Sequence, residues 1–350
     1  MTPTTTHIFL TGATGYIGGT IVTLLLKHPK SDSFKITVLV RNTEKAKQLK
    51  SLGIKAEIGS HSDVDKLEEL ASAADVVFAT ADCDDLEAAK AILKGLKKRN
   101  ETTGHVPILI HTSGTAVLCD NAAGMYASDT IYSDTNVSQL ESLPPTQLHR
   151  QVDLAVIAAD LQGYIKSYIV LPSTIWGIAS GPLVDLKIQN PHSQQIPNLI
   201  KIGLARGQGA KIGEGKNYWP NVEIDELGEL YNILFDLALS DAPPPHGREG
   251  LYFGATDEHL LADLYDTVAR DLYELGKAKS EEPTALSKEE VLKFYGSEVI
   301  ATTVMGGNSR CRADRARRDL RWKPVKGTKE MLASIKDEIR VLSAIAEGQV

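Results

Sequence analysis

The first half of the chain alternates short apolar runs with longer stretches in which apolar residues recur every three or four positions. The short runs predict buried strands, and the longer spacing predicts helices that bury one face. The predicted strands are His7–Leu10, Phe34–Val40, Ile54–Ile58, Asp75–Ala79, Val106–His111 and Ser167–Leu171. The predicted helices between them are Tyr16–Lys27, Thr43–Leu52, Asp63–Ser72, Leu86–Arg99 and Gln147–Gln162. This alternation implies right-handed crossovers, and therefore a parallel sheet with helices on both faces.

The apolar pattern is weaker in the second half of the chain. Gly181–Asn217 is rich in Gly, Pro, Gln and Asn, as expected of segments that leave a sheet domain and rejoin it. The later predicted elements are a strand at Gly250–Gly254 and helices at Asp225–Leu239, Glu258–Lys277, Ser287–Tyr295 and Lys329–Ala346. The predicted division is an α/β core of residues 1–177, rejoined by 219–240, and a smaller lobe formed mainly by 178–218 and 241–350.

Three glycines mark the passage from the first predicted strand into the first turn of the first predicted helix. Thr11–Gly18 reads T-G-A-T-G-Y-I-G. The first glycine permits a tight turn, the second lets a pyrophosphate approach the backbone, and the third lets helix and strand pack closely. The free N–H groups of the helix then face the phosphates, so we predict a bound dinucleotide in preference to an ordinary glycine-rich turn. The residues expected to contact it are Gly12, Thr14, Gly15, Tyr16, Ile17 and Gly18.

The end of the second predicted strand indicates which dinucleotide binds. An acidic residue there would bind the adenosine ribose, but from the strand end at Val40 the chain has no Asp or Glu until Glu44. Arg41 stands there instead, and its planar guanidinium suits a 2′-phosphate, so we predict NADP(H). Asp63 either accepts a hydrogen bond from the adenine amino group or caps a helix. The small residues expected along the pyrophosphate and the nicotinamide ribose are Ala79, Thr80 and Ala81.

Composition limits the partners. The formal net charge of −7 disfavours nucleic acid and anionic membranes as partners. The three cysteines are far apart and odd in number, which indicates a reducing compartment without a disulfide framework. Because the first residues lack the layout of a signal peptide and no apolar run could span a bilayer, we expect a cytoplasmic protein that acts on a small molecule.

Three later segments extend the pattern. Pro172–Gly177 reads P-S-T-I-W-G, Asn221–Leu227 reads N-V-E-I-D-E-L, and Leu320–Pro324 reads L-R-W-K-P. With Thr11–Gly18, they make nearly the whole chain resemble the extended short-chain dehydrogenase/reductase family, in particular its atypical members. The resemblance implies a doubly wound parallel sheet of the Rossmann type with a smaller C-terminal substrate lobe, and a homodimer. The residues that it places at the nicotinamide end are Thr112, Pro172, Thr174 and Ile175.

The family's catalytic tyrosine and lysine, spaced Y-x-x-x-K, are missing from the expected helix. Their places hold His149 and Asp153. Four residues apart on a helix, the two would share a face, where Asp153 would favour the imidazolium form of His149 and make it a proton donor. Alternatively, Asp153 binds the nicotinamide ribose, or the two form an ordinary pair at a helix start. Ungapped matching puts Gly114 at the family's serine, so a hydroxyl would come from Ser113 or Thr115.

Other candidates receive less weight. Tyr126 and Tyr132 are rival proton donors in the polar stretch Asn121–Pro145, which we interpret as a loop near the mouth of the site. Tyr273 and Lys277 satisfy Y-x-x-x-K literally, but we interpret them as an ordinary helical pair because they lie far in sequence from the cofactor strands. Neither H-E-x-x-H nor C-x-x-C occurs, so we predict no metal site.

These observations predict an NADPH-dependent oxidoreductase that acts on a small carbonyl, enone or imine. His149 would supply the proton, assisted by Asp153 and a hydroxyl. Two alternatives stay open: a regulator that binds NADP without catalysis, and a non-redox isomerase, lyase or cyclase that retains the cofactor.

Overall fold

The computed structural model describes residues 5–348. Its strands are β1 (Thr6–Thr11), β2 (Phe34–Val40), β3 (Lys55–Ile58), β4 (Val76–Ala79), β5 (Ile108–Thr112), β6 (Tyr132–Ser133), β7 (Lys166–Pro172), β8 (Thr174–Trp176), β9 (Ala210–Lys211), β10 (Tyr218–Glu223), β11 (Leu251–Gly254), β12 (Asp257–Leu260), β13 (Thr284–Ala285) and β14 (Cys311–Arg312). Its helices are α1 (Tyr16–Lys27), α2 (Thr43–Ser51), α3 (Val64–Ser72), α4 (Leu86–Thr103), α5 (Val137–Glu141), α6 (Arg150–Leu161), α7 (Pro182–Asp185), α8 (Gln195–Arg206), α9 (Ile224–Ala238), α10 (Leu261–Glu274), α11 (Lys288–Tyr295), α12 (Glu298–Ile300), α13 (Asp314–Asp319) and α14 (Thr328–Ala346).

Seven strands form one parallel sheet in the order β11-β7-β5-β4-β1-β2-β3. The predicted doubly wound parallel sheet is therefore confirmed. The strand order reverses between β1 and β4. Ligands of such sheets bind beside that point, outside the carboxyl ends of the strands.

The central strands are apolar along nearly their whole length because helices cover both faces of the sheet. Leu10, Val38, Val76 and Ile110 are all buried in its core. The same core includes Trp322, whose indole Nε1–H donates to the carbonyl oxygen of Glu226 in α9.

The lobe has its own hydrophobic core, in which α8, α10 and α14 pack together beside a small sheet of order β12-β10-β8. Only Ser173 separates β7 from β8, so the small sheet begins where the main sheet ends. Asn221 of β10 joins β8, β12 and α14: its Oδ1 accepts from the indole of Trp176, and its Nδ2 donates to Asp257 and Thr328.

Several elements differ from the predicted ones. β11, which lies within the range predicted for the lobe, joins the main sheet beside β7. α8 forms inside Gly181–Asn217, where Pro197 and Gly203 obscure the helical spacing of its buried apolar residues. α5 and β6 form within the stretch interpreted as a loop.

Two predicted helices are shorter than expected. α6 begins at Arg150 because His149 has a φ of 66°, in the left-handed region. α10 ends at Glu274, so Tyr273 and Lys277 do not form the expected pair on one helix. Among the helices of residues 5–348, none has the length and apolar content needed to cross a membrane.

Candidate cofactor and active site

The glycine loop between β1 and α1 is held close to the end of β4. Gly12 has a φ of +77° and accepts the Gly15 N–H at 2.8 Å. The Thr80 hydroxyl donates to the Thr11 carbonyl at 2.6 Å. A Cβ on Gly18 would overlap the Gly12 carbonyl oxygen and lie 2.6 Å from the Thr80 hydroxyl. Glycine is therefore required at Gly18 by packing.

The start of α1 leaves room for an anion. Its N-cap is Gly15, which offers no side chain to the first-turn N–H groups. Such uncapped N–H groups, together with the positive end of the helix dipole, suit a phosphate. The phenol of Tyr16 turns away from this end and donates to the Gly177 carbonyl at 2.5 Å. Burial raises the pKa of Tyr16 well above its usual range, so the phenol keeps its proton.

A segment of the lobe borders the glycine loop, which the sequence did not reveal. The Asn190 N–H donates to the Thr14 carbonyl at 3.0 Å, and the Gln189 amide donates to the Tyr16 carbonyl at 2.9 Å. From the other side, the Lys45 ammonium of α2 donates to the Ile188 carbonyl at 2.7 Å. This segment links the lobe to two helices of the α/β core.

The structure places the predicted cofactor residues at or next to the carboxyl ends of the main-sheet strands. Arg41 is exposed immediately after β2. Asp63 is the N-cap of α3, and its carboxylate accepts the Ser60 N–H at 2.6 Å. The others are Gly12 and Thr14 to Gly18 after β1, Ala79, Thr80 and Ala81 at the end of β4, Thr112 ending β5, Pro172 ending β7, and Thr174 and Ile175 in β8. Their roles stay predictions.

The predicted pair of His149 and Asp153 does not form, because His149 stands before the helix rather than on its face. Its imidazole Nδ1 lies 2.9 Å from Asp84 Oδ1 and 3.2 Å from Cys83 Sγ. Both partners lie in the turn between β4 and α4. The other ring nitrogen, Nε2, faces Gly114, where an added Cβ would lie 3.1 Å away. Glycine at the family's serine position thus makes room for the imidazole.

Asp153 faces a different set of groups, under the site. It is fully buried, and its Oδ2 accepts from the Ser113 hydroxyl at 3.1 Å. Its Oδ1 lies 3.9 Å from His111 Nε2, and neither atom has a hydrogen-bond partner within the described residues. Thr115 is also fully buried, and its hydroxyl has no partner in the same part of the chain. The Ser113 hydroxyl is therefore oriented by Asp153, whereas the Thr115 hydroxyl is buried away from solvent.

The electrostatics of the site favour a charged His149. Burial opposes the charge, but the hydrogen bonds to Asp84 and Cys83 outweigh it and raise the pKa of His149 to about 10. The hydrogen bond from His149 holds the pKa of Asp84 below its usual range. Burial lowers the pKa of His111 to about 4 and raises that of Asp153 to about 6. At neutral pH His149 is therefore protonated and charged, whereas the nearby His111 is uncharged.

Cys83 and Asp84 were not among the predicted site residues. The segment predicted to lie along the cofactor after β4, Ala79–Asp82, stopped one residue before Cys83, although the same turn continues. Of the rival proton donors, Tyr126 is exposed and Tyr132 lies in β6, paired with β14.

Comparison with known proteins identifies the family. A sequence model of the NmrA-like family matches residues 4–99, which include the glycine loop and β4. The uncharacterized protein C2A9.02 of Schizosaccharomyces pombe is 30% identical over 236 residues, covering 66% of this chain and 70% of that protein. The chain belongs to the extended short-chain dehydrogenase/reductase family. The oxidase ucsJ of Acremonium sp is 29% identical over 344 residues, covering 92% of this chain and 93% of that protein.

Solved structures share the fold of this short-chain dehydrogenase/reductase. PbgP3 of Burkholderia pseudomallei superposes with a TM-score of 0.67 at 13% identity, covering 99% and 98% of the two chains. The UDP-glucose 4-epimerase of Thermotoga maritima has a TM-score of 0.63 at 15% identity, covering 96% and 99%. A dTDP-glucose 4,6-dehydratase of Bacillus anthracis, solved with NAD, has a TM-score of 0.62 at 16% identity and covers 98% of each chain.

Proposed function

We propose that this family member is an NADPH-dependent oxidoreductase that reduces a small carbonyl, enone or imine, with His149 as its proton donor. The observation that carries the proposal is the imidazole itself. One ring nitrogen is held by Asp84 at 2.9 Å, and the other faces Gly114 at the carboxyl end of β5. The raised pKa of His149, about 10, keeps a proton available throughout the neutral range.

The residues at the switch point fit a dinucleotide. The uncapped start of α1 and the close packing at Gly18 leave backbone N–H groups for a pyrophosphate. Structural neighbours solved with NAD and the relative named an oxidase support the same assignment. The exposed guanidinium of Arg41 would bind a 2′-phosphate, which favours NADP(H) over NAD(H).

The bound nicotinamide would supply hydride. The chain itself would hold and deliver the proton: Asp84 fixes the Nδ1–H of His149, and Nε2 donates to the oxygen, carbon or nitrogen that gains negative charge. Ser113, oriented by Asp153, would present a hydroxyl near the same strand end. Because burial raises the pKa of Asp153 to about 6, that carboxyl is only weakly charged in mildly acidic solution.

The test is transfer of deuterium from stereospecifically deuterated NADPH to a panel of aldehydes, ketones, enones and imines. We compare the protein with His149→Asn, because asparagine tolerates the left-handed backbone. His105→Asn, an exposed position, is the control. We expect transfer that falls at least about 100-fold in His149→Asn, the low end of what a general acid contributes.

The other outcomes are distinct. Transfer that survives in His149→Asn removes the histidine from this role. Cofactor binding without any transfer overturns the oxidoreductase and favours the regulator or the non-redox enzyme.

A further inference from the structure

Cys83 differs from the other two cysteines of the chain. Cys119 and Cys311 are buried, and burial raises the pKa of both thiols well above their usual range. Cys83 is partly exposed in the turn after β4, and its Sγ lies 3.2 Å from Nδ1 of His149. The proposed function makes no use of this thiol.

Hydrogen bonding fixes where the proton of the cluster lies. Oδ1 of Asp84 accepts the backbone N–H of His149 at 2.9 Å and meets the imidazole Nδ1 at 2.9 Å. An ionised carboxylate can only accept, so Nδ1 must carry a hydrogen. The sulfur of Cys83 therefore faces an N–H rather than a lone pair at 3.2 Å, whereas Oδ2 of Asp84, the acceptor for a thiol S–H, lies 4.0 Å away. A thiolate satisfies that contact far better than a thiol, which is only a weak acceptor.

The same bonds disfavour a metal ion. A metal held by Cys83, Asp84 and His149 would need to displace the hydrogen on Nδ1. Oδ1 of Asp84, which already accepts two N–H groups, would have to give up at least one of them. The hydrogen on Nδ1 accounts for both separations, 2.9 Å to Asp84 Oδ1 and 3.2 Å to Cys83 Sγ, as hydrogen bonds.

The titratable groups around His149 do not oppose the positive charge on its imidazolium. His111 faces it from β5, and burial keeps that residue neutral at ordinary pH by lowering its pKa to about 4. From α6, Asp153 and Arg150 carry opposite charges when both are ionised. His61 pairs with Asp85 at 3.3 Å. Tyr231 of α9 interacts with Cys83 but stays uncharged, because burial raises the pKa of its phenol well above the usual range.

We propose that Cys83 is a nucleophilic thiolate, ion-paired with the imidazolium of His149, that binds an α,β-unsaturated carbonyl compound covalently. The thiolate sulfur forms a bond to the β-carbon, the C=C π pair moves to the α-carbon and carbonyl oxygen, and His149 protonates the resulting enolate from Nε2. The step needs no oxidant or reductant, and its reversal releases the enone. Only the choice of an enone rests on the proposed function; the thiolate rests on the contacts of Cys83 itself.

The first experiment measures alkylation by iodoacetamide in the folded protein without cofactor, with each cysteine followed by peptide mass spectrometry from pH 5.5 to 9. We expect Cys83 to react at least about tenfold faster than Cys119 and Cys311, since reaction requires an accessible thiolate. Its rate should change little between pH 6 and 8. In His149→Asn the Cys83 rate should instead rise steeply with pH across the same range.

Two results would overturn the thiolate. One is a Cys83 rate in the unmodified protein that rises tenfold per pH unit, as for a free thiol. The other is a bound zinc ion, at about one per chain, whose removal by a chelator is needed for alkylation.

The second experiment exposes the protein to cyclohexenone without cofactor and measures intact mass. We expect one adduct on Cys83, absent in Cys83→Ser and reversed by dilution. A pH-independent alkylation rate without this adduct would refute covalent binding of the enone but would still support the thiolate. Because neither experiment contains NADPH, both outcomes are separate from deuterium transfer, which tests the proposed function.

Discussion

Replacing Asp84 with asparagine should lower the pKa of His149 and move the upper pH limit of the site. Burial lowers the pKa of His149, and the hydrogen bond to Asp84 is the largest of the contributions that raise it to about 10. The Asp84 side chain is 52% exposed, so water screens part of its charge. An opposite charge at this distance shifts a pKa by about 1–3 units, which places His149 in Asp84→Asn at about 7–9. Each unit corresponds to about 1.4 kcal/mol.

The change is largest near pH 9. With a pKa of about 10, His149 is about nine-tenths protonated there; with a pKa of about 8 it is about one-tenth protonated. The assay is an NMR titration of 13C-labelled histidine rings, in which His149→Asn identifies the resonance. Glu87→Gln, an exposed residue in the first turn of α4, is the control and should leave the titration unchanged. A His149 resonance that titrates near 6.5 in the unmodified protein would refute the reasoning.

The same pKa shift makes folding stability depend on pH. His149 has a folded-state pKa raised above its unfolded value of 6.5. Its contribution is therefore complete below pH 6.5 and is lost as the pH rises towards about 10. Urea unfolding should show a difference in unfolding free energy between the protein and Asp84→Asn that is constant below the variant's His149 pKa of about 7–9 and shrinks from there to about pH 10. A free-energy difference that grows with pH would contradict the predicted direction of the pH dependence.

Three further predictions concern the cofactor site and the lobe. Gly18→Ala should weaken NADPH binding at least about tenfold, measured by cofactor fluorescence, because its Cβ would overlap the Gly12 carbonyl oxygen; unchanged binding would contradict the packing argument. Arg41→Ala should raise the Kd for NADPH about tenfold and leave that for NADH unaltered, and equal losses for both would remove Arg41 from 2′-phosphate binding. Asn221→Ala should lower the urea-derived unfolding free energy by about 1–3 kcal/mol because it leaves the buried indole N–H of Trp176 without its acceptor; a loss below about 0.5 kcal/mol would refute its linking role.

The sequence predicted the α/β core well because the physical requirements there are local. A strand buried on both faces must be apolar throughout, and Phe34–Val40 has the same bounds in the structure as in the prediction. The glycine loop likewise occupies consecutive positions, and α1 begins and ends where its spacing predicted. The lobe was predicted less well: α8 contains Pro197 in its first turn and Gly203 near its end, which disguise a buried helical face.

The predicted pairing of His149 with Asp153 failed at one backbone angle. Spacing of i,i+4 brings side chains together only within a helix, and His149 lies just outside it with a positive φ. Its actual partners come from another loop: Cys83 is 66 positions away in the chain. Contacts between loops at the end of a sheet follow from strand order, and no periodicity in one sequence encodes them.

The position of β11 has a consequence for synthesis of the chain. β7 pairs with β5 on one side, but its other edge is covered only when β11 arrives, after the whole segment between Pro172 and Leu251 has been made. A nascent chain that has reached α8 therefore presents β7 as an open apolar edge, ready to pair with any other strand. We expect this interval of translation to be when the polypeptide depends most on a chaperone, and substitutions that slow formation of the lobe should reduce its yield more than its final stability.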